Sequence, residues 1–310
     1  MLGGMAFRSA KNLLACVAAL SGCGVLFGAP QPCMPLSPRE QRVLALQISL
    51  DRRGFSCNTL DGQCGRKTQV ALATYCAVNG LAYVPGAEAT AHARFFAGET
   101  NLFETVVVTA ADHAACGRIP AAPAEKAQLA TMGYESLAEM FAERGHCSVT
   151  LLRRLNPALA WPNPPAGARV VLPRTTPVAV RGASRLEITA FDAAGRMIGL
   201  FPCSIAAEKS KRPPAGEVQV TALVPKPNYT YTAPRAGPGG RIARHIYPPG
   251  PNNPVGTSWI GLSLPTYGIH GTPSPERIGR AESHGCFRLA NWNAEKLRGM
   301  CDVGTSVVIE

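Results

Sequence analysis

The stretch Ser283-His284-Gly285-Cys286-Phe287-Arg288, with Ile269-His270-Gly271-Thr272 upstream of it, decides how the second half of this chain reads. It sets one cysteine on a glycine turn beside a histidine and a hydroxyl, with a second histidine sixteen residues earlier. A thiol is a weak nucleophile until an imidazole within hydrogen-bond reach removes its proton, so the pattern predicts a thiolate–imidazolium pair. Gly285 leaves room for an incoming carbonyl to meet the backbone, and amides around the cysteine then face the developing oxyanion. These residues suit acyl transfer through a thioester. Two plainer readings stand beside this one: a buried structural thiol, or a metal site of one cysteine and two histidines. No tight Cys-x-x-Cys or His-x-x-x-His pair accompanies them, which weighs against the metal. His92, His113, His146 and His245 lack such company and read as surface or packing residues.

The pattern resembles the catalytic motif of the YkuD-type L,D-transpeptidases of bacterial cell walls: His, a spacer, then Ser/Thr-His-Gly-Cys-x-Arg. The resemblance runs from about Leu186 to Glu310. Arg212-Pro213-Pro214-Ala215-Gly216 looks like that family's Thr/Arg-Pro-x-Gly segment. Asn253-Pro254-Val255-Gly256 and Trp259-Ile260-Gly261-Leu262 look like the approach to its catalytic histidine. The resemblance implies a β-rich, sandwich-like domain over 183–310, with Cys286 as nucleophile and His270 as base. It also implies that a backbone carbonyl from Gly271 orients His270, and that amides of His284, Gly285 and Cys286 form the oxyanion hole. Ser283 and the His284 ring would shape the turn. Arg288 is a candidate for a stem-peptide carboxylate or for a structural salt bridge. Tyr267, Trp259 and Phe287 are candidates for the cleft or for the core. The family's chemistry needs no metal and no organic cofactor. Its substrates are peptidoglycan stem peptides, cut after the third residue and joined to an amine. Alternatives on the same scaffold are hydrolysis, as an L,D-carboxypeptidase or endopeptidase, and transfer to a wall-linked lipoprotein. A non-catalytic wall-anchoring protein is the alternative of a different class.

Composition sets bounds. The 310 residues are 46% hydrophobic and 16% charged, which fits a globular chain of about two domains. Lys and Arg outnumber Asp and Glu 31 to 20. With no nucleic-acid-binding motif in the chain, the expectation is attraction to an anionic cell envelope or a solvated basic surface. Arg8 and Lys11 followed by apolar Leu13 to Leu20 read as an export signal, too short to span a membrane as a mature helix. Leu20-Ser21-Gly22-Cys23 resembles a lipobox, making Cys23 a candidate lipidation site; ordinary cleavage near Ala29 is the alternative. The expected location is therefore the periplasm or cell envelope, with membrane contact only through a lipid anchor. Setting aside Cys16, Cys23 and Cys286, eight of the eleven cysteines remain, an even number that suggests disulfides in an exported protein. Candidate pairs are Cys57–Cys64, Cys33–Cys76, Cys116–Cys147 and Cys203–Cys301, though spacing does not fix the connectivity.

Residues 1–36 form the signal and spacer. Over 37–81, Ser37-Pro38 starts a helix carrying Val43, Leu46, Gln47 and Leu50 at helical spacing. Asp61-Gly62 and Gly65 then mark turns, and a second helix carries Val70, Ala71, Leu72 and Tyr75. Leu46-Gln47, Leu50, Gly54-Phe55, Asp61-Gly62, Gly65, Thr68 and Ala71-Leu72 resemble the small, all-α peptidoglycan-binding domain. Residues 82–130 read as a linker with one β-like run at Thr105 to Thr109. Residues 131–175 hold two short helices and a closing strand, Gly167 to Pro173, and resemble a LysM glycan-binding module whose opening strand is not evident. From Arg185 the rhythm turns to strands. The Pro-, Gly- and Tyr-rich run Asn228 to Gly256 is expected to cover a cleft. A helix capped at Asn291 or Asn293 and a strand from Ser306 to Ile309 close the chain.

Overall fold

The computed structural model describes residues 36–175, 187–193, 197–206, 208–234, 242–279 and 285–309. The signal segment, Cys16, Cys23, Cys33, Ser283 and His284 lie outside the described residues. No helix of the described residues is long and apolar enough to cross a membrane.

Ser37 opens α1 (Pro38–Arg52) through a capping box with Glu40, with Pro38 in the first turn, where its missing N–H costs nothing. Positions two apart on a helix point about 200° apart, so α1 serves two cores. Leu44 and Ile48 pack with Leu60, Leu137, Phe141, Leu152 and Leu172. Leu46 and Leu50 pack with Phe55, Leu72, Tyr75, Phe96 and Leu200. The second group is closed by α2 (Arg66–Val78) and α3 (Glu88–Phe95).

The segment expected to be a linker is instead folded. It holds α3, β1 (Phe103–Val107) and two short helices, α4 (Ala110–Ala114) and α5 (Pro123–Lys126). Its Phe96, Leu102 and Val108 are buried. β1 pairs antiparallel with β2 (Arg169–Pro173), Thr105 opposite Val171. Between them lie α4, α5, α6 (Leu137–Arg144), capped by Ser136, and α7 (Val149–Leu155), capped by Ser148. β1 thus pairs with a strand set far from it in the chain.

Gln47 explains one motif of the first helices. Its amide donates to the Asp61 carboxylate at 2.9 Å and to Thr68 at 3.0 Å, and its carbonyl accepts from the amides of Asp61 and Gly62. The Leu-Gln and Asp-Gly pieces are one buried polar clasp over a turn. Gln47→Leu strands these groups without partners, and a loss of about 2–4 kcal/mol in denaturant unfolding is expected.

The C-terminal part is β-rich. β3 (Glu187–Phe191) and β4 (Met197–Pro202) form a hairpin. A five-stranded sheet follows in the order β10-β9-β8-β5-β11, from β5 (Gly216–Pro225), β8 (Ser258–Leu262), β9 (Gly268–His270), β10 (Phe287–Arg288) and β11 (Ser306–Ile309), with β6 (Tyr229–Thr232) and β7 (Arg244–Tyr247) as a separate hairpin. Only β9 and β10 run parallel within the five-stranded sheet. A bridge from Ser204 to Arg288 joins the chain after β4 to the β10 edge, which curls the sheet. α8 (Asn291–Arg298) covers its inner face, where Phe201, Val220, Ile260, Ile269, Leu289 and Leu297 form the core.

Two expectations need correction here. Neither Asn291 nor Asn293 caps α8, which starts at Ala290 without a side-chain cap. Asn291 is turned to other partners, and Asn293 donates to Ser56 of the N-terminal part at 3.0 Å. Among the described residues Cys57, Cys64, Cys76, Cys116, Cys147, Cys286 and Cys301 are free thiols. Cys57 and Cys147 are buried in the two N-terminal cores. Burial pushes the Cys147 thiol up to about 12 and the Cys57 thiol up as well, as for small apolar side chains.

Candidate active site

The nucleophile turn is positioned by the parallel pairing of β9 and β10. Phe287 lies opposite Ile269 and Arg288 opposite His270, so Cys286 falls beside Gly268. Side chains two apart on a strand share a face. Cys286, Arg288 and His270 therefore share one face of the sheet. Gly285, just before the cysteine, has φ +143°, and a Cβ there would stand 3.1 Å from both the Lys211 carbonyl and the Tyr267 ring. Only glycine fits that turn without strain. Tyr267 in turn donates its hydroxyl to the Lys211 carbonyl at 3.3 Å.

His270 is buried at the centre of this face. Its Nδ1 lies 2.7 Å from the Gly271 carbonyl, so Nδ1 carries the proton and Nε2 is left with a free lone pair. Trp259, opposite His270 on β8, stacks on the imidazole with ring centres 5.7 Å apart and planes at 16°. Gly268 lies against the same indole, where any Cβ would come within 2.5 Å of it. Trp259 thus holds the imidazole flat, a role its sequence position did not reveal.

The electrostatics differ from the expected ion pair. Burial lowers the His270 pKa to about 4, against the opposing hydrogen bond to Gly271 and with help from the Arg288 charge. Burial also raises the Cys286 thiol, offset in part by the Gly268 amide bonded to the sulfur and by Arg288. Desolvation disfavours whichever form is charged, so burial opposes the ion pair that the residue types suggest. The thiol rests 3.6 Å from the Thr266 carbonyl, in a turn where Thr266 has φ +71°, an uncommon conformation for a non-glycine residue. His270 works as a base only when neutral, and with its pKa near 4 it imposes no acid limb between pH 5 and 8. A pH profile of Cys286 acylation that lost activity around the ordinary histidine value of about 6.5 would contradict this.

Arg288 is half-buried, and among the described residues its Nε has no hydrogen-bond partner. It lines a cavity of about 290 Å³ with Lys126, Met132, Thr272, Arg277 and Ile278. Neither Cys286 nor His270 lines that cavity; Arg288 and Thr272, each two residues from one of them, do. Among the described residues no group of His, Cys, Asp and Glu is arranged to hold a metal ion.

The run Asn228 to Gly256 divides in two. Its first half is the β6–β7 hairpin, with Tyr231 stacked on Tyr247 at 5.6 Å. Its second half docks onto the N-terminal part: Met132 N–H donates to Pro249 at 2.9 Å, and Asn252 donates to the Gly133 carbonyl and to Glu139. This half bridges to the N-terminal part, and its Asn252 and Pro254 line the cavity beside Arg288.

This arrangement is a candidate site for cysteine acyl transfer on a β-rich scaffold. Residues 182–309 match the family model of the L,D-transpeptidase catalytic domain, YkuD. A protein of Fuscovulum blasticum, assigned by name to the L,D-transpeptidases and encoded in the ATP synthase subunits region, is 49% identical over 59 residues, 19% of this chain and 31% of that one. The YkuD protein of Bacillus licheniformis, assigned likewise, is 44% identical over 61 residues, 20% of this chain and 37% of its own. A solved L,D-transpeptidase from Mycobacterium smegmatis aligns over 40% of this chain and 54% of its own, at 20% identity and a TM-score of 0.30. The chain spans between 31% and 51% of the length of the curated relatives it matches.

Proposed function

We propose that this protein is an exported cysteine acyltransferase that cross-links or remodels peptidoglycan by L,D-transpeptidation. The observation that carries the reading is the pairing of β9 with β10. It sets Cys286 on the face of His270, whose free nitrogen is fixed by the Gly271 carbonyl. The Cys286 sulfur attacks the carbonyl of the third stem residue while His270 takes the thiol proton. The amides of Cys286, Gly285 and His284 hold the oxyanion. The intermediate collapses to a thioester as His270 returns the proton to the departing D-amino acid's nitrogen. An acceptor amine then attacks the thioester, loses its proton to His270 and releases the thiol as a new amide. Arg288 and its basic cavity receive a stem-peptide carboxylate, since a guanidinium with an unused donor favours a carboxylate partner.

The N-terminal part is read as a peptidoglycan-binding-like helical unit followed by a LysM-like unit. The antiparallel pairing of β1 with β2, with α6 and α7 packed on the same core, supports the second. Export to the periplasm or cell envelope, with Cys23 as a lipid anchor, follows from the N-terminal segment.

Incubating the full chain with purified tetrapeptide muropeptides and weighing the products tests this. Cross-linked dimers with one D-amino acid released per dimer are expected. Tripeptides alone would assign water as the acceptor and make the enzyme a carboxypeptidase. Unchanged substrate, with glycan still bound, would favour a wall-anchoring protein.

A further inference from the structure

Glu143, on α6 of the LysM-like unit, reaches into the catalytic domain. Its two carboxylate oxygens accept from the Asn291 side-chain amide at 3.2 and 3.1 Å, and Tyr134 donates to it at 3.3 Å. The same Asn291 nitrogen donates to the Pro251 carbonyl at 3.2 Å, and its oxygen accepts from the Thr257 amide at 3.3 Å. That oxygen is pressed against two glycines. A Cβ at Gly256 would stand 2.0 Å from it, and one at Gly271 2.2 Å. Gly271 is the residue whose carbonyl orients His270. A continuous line of contacts thus runs from a carboxylate of the preceding unit to the imidazole, through one buried asparagine.

We infer that Glu143 is a positioning residue for His270: with Asn291 it clamps the Gly256–Gly271 corner, so the catalytic pair is set only while the helical unit is docked. The inference rests on the acyl-transfer reading. The groups facing Glu143 are Asn291 and Glu295 from α8, Tyr134 from the turn before α6, and Glu139 from its own helix. Among the described residues no cation pairs with it. Burial, with the charges of Glu295 and Glu139 added and the bonds from Asn291 and Tyr134 opposing, raises its pKa to about 7. The clamp therefore tightens as pH rises through neutrality, because an ionised carboxylate is a stronger acceptor for Asn291 than a carboxylic acid. His270, with a pKa near 4, does not titrate in that window.

The test is the rate of Cys286 acylation by imipenem, read by intact mass from pH 6 to 8 on the full chain, for wild type, Glu143→Gln and Glu143→Ala. The rate of wild type divided by that of Glu143→Gln is expected to rise about fivefold with a midpoint near 7, the difference between hydrogen bonds to charged and neutral acceptors. Glu143→Ala is expected to slow acylation about tenfold at pH 8, as misplaced catalytic groups do, with the KM for muropeptide unchanged. A purely structural role would lower the melting temperature and leave the wild-type to Gln ratio flat. A flat ratio overturns the inference while the acyl-transfer reading stands, and if Glu143→Ala does not fold, that ratio decides alone. No adduct on wild type at any pH overturns both.

Discussion

Cys286→Ala is expected to abolish muropeptide cross-linking, with turnover falling by on the order of 10⁴-fold or more. The other seven described thiols do not substitute for it. Cys57 and Cys147 are buried in cores, and Cys286 is the described thiol set on the face of the fixed imidazole. Cys286→Ser is expected to be nearly as inactive. A neutral imidazole oriented by a backbone carbonyl, rather than by a carboxylate, has less power to draw a proton from a hydroxyl. Because Cys286 is only half-buried, the alanine variant should unfold within about 1 kcal/mol of wild type, separating lost chemistry from lost structure. Product analysis on both variants at equal concentration checks this, and residual cross-linking above a hundredth of wild type would refute it.

Asp51→Ala is expected to cost about 3–5 kcal/mol of stability, the penalty for stranding buried charge. Asp51, on α1, is wholly enclosed. Its Oδ2 accepts from Lys296 of α8 at 2.9 Å and from His146, in the turn between α6 and α7, at 2.9 Å. Burial alone would raise its carboxyl, but the Lys296 charge and these hydrogen bonds outweigh burial and hold it well below the carboxylate range. His146, whose pKa burial lowers against the pull of Asp51, stacks on Trp292 of α8 at 5.1 Å. One carboxylate thus ties together three parts of the chain that the sequence divides into separate modules. Removing it leaves the Lys296 ammonium, about one-seventh exposed, without its counter-charge. Denaturant unfolding of the full chain measures the loss. A change under about 1 kcal/mol would mean that the units do not share this junction in solution.

These two residues mark what was and was not legible. Cys286 and His270 could be read because their chemistry is local: a glycine turn, a short spacer and an apolar approach strand. β3, β4 and β5 follow from alternation that a half-buried sheet imposes, whereas β6 and β7 fall in a run that reads as a loop. The errors are tertiary. β1 looked like part of a linker because its partner β2 comes only after four helices, and no local pattern announces such a pairing. The thiolate–imidazolium pair was read from residue types alone, but burial of His270 and Cys286 favours their neutral forms. The cysteine count suggested disulfides, whereas seven of the described cysteines are free, and Cys57, Cys76 and Cys147 serve as small core residues. Asn291 looked like a helix cap because asparagine at that position usually is one. Its carbonyl and amide are occupied instead by Thr257, Pro251 and Glu143. Trp259 over the imidazole and the Gly268 amide on the sulfur were likewise invisible, since each depends on strand register.

The most direct test of the central claim is intact-protein mass spectrometry of the full, reduced chain with imipenem, followed by peptide mapping of the adduct. A β-lactam presents a strained amide to the nucleophile in place of the stem peptide. The expected result is one adduct per chain, carried by the peptide containing Cys286. No adduct on the folded protein, or an adduct carried by another of the free cysteines, would contradict the assignment of Cys286 as the acyl-accepting thiol.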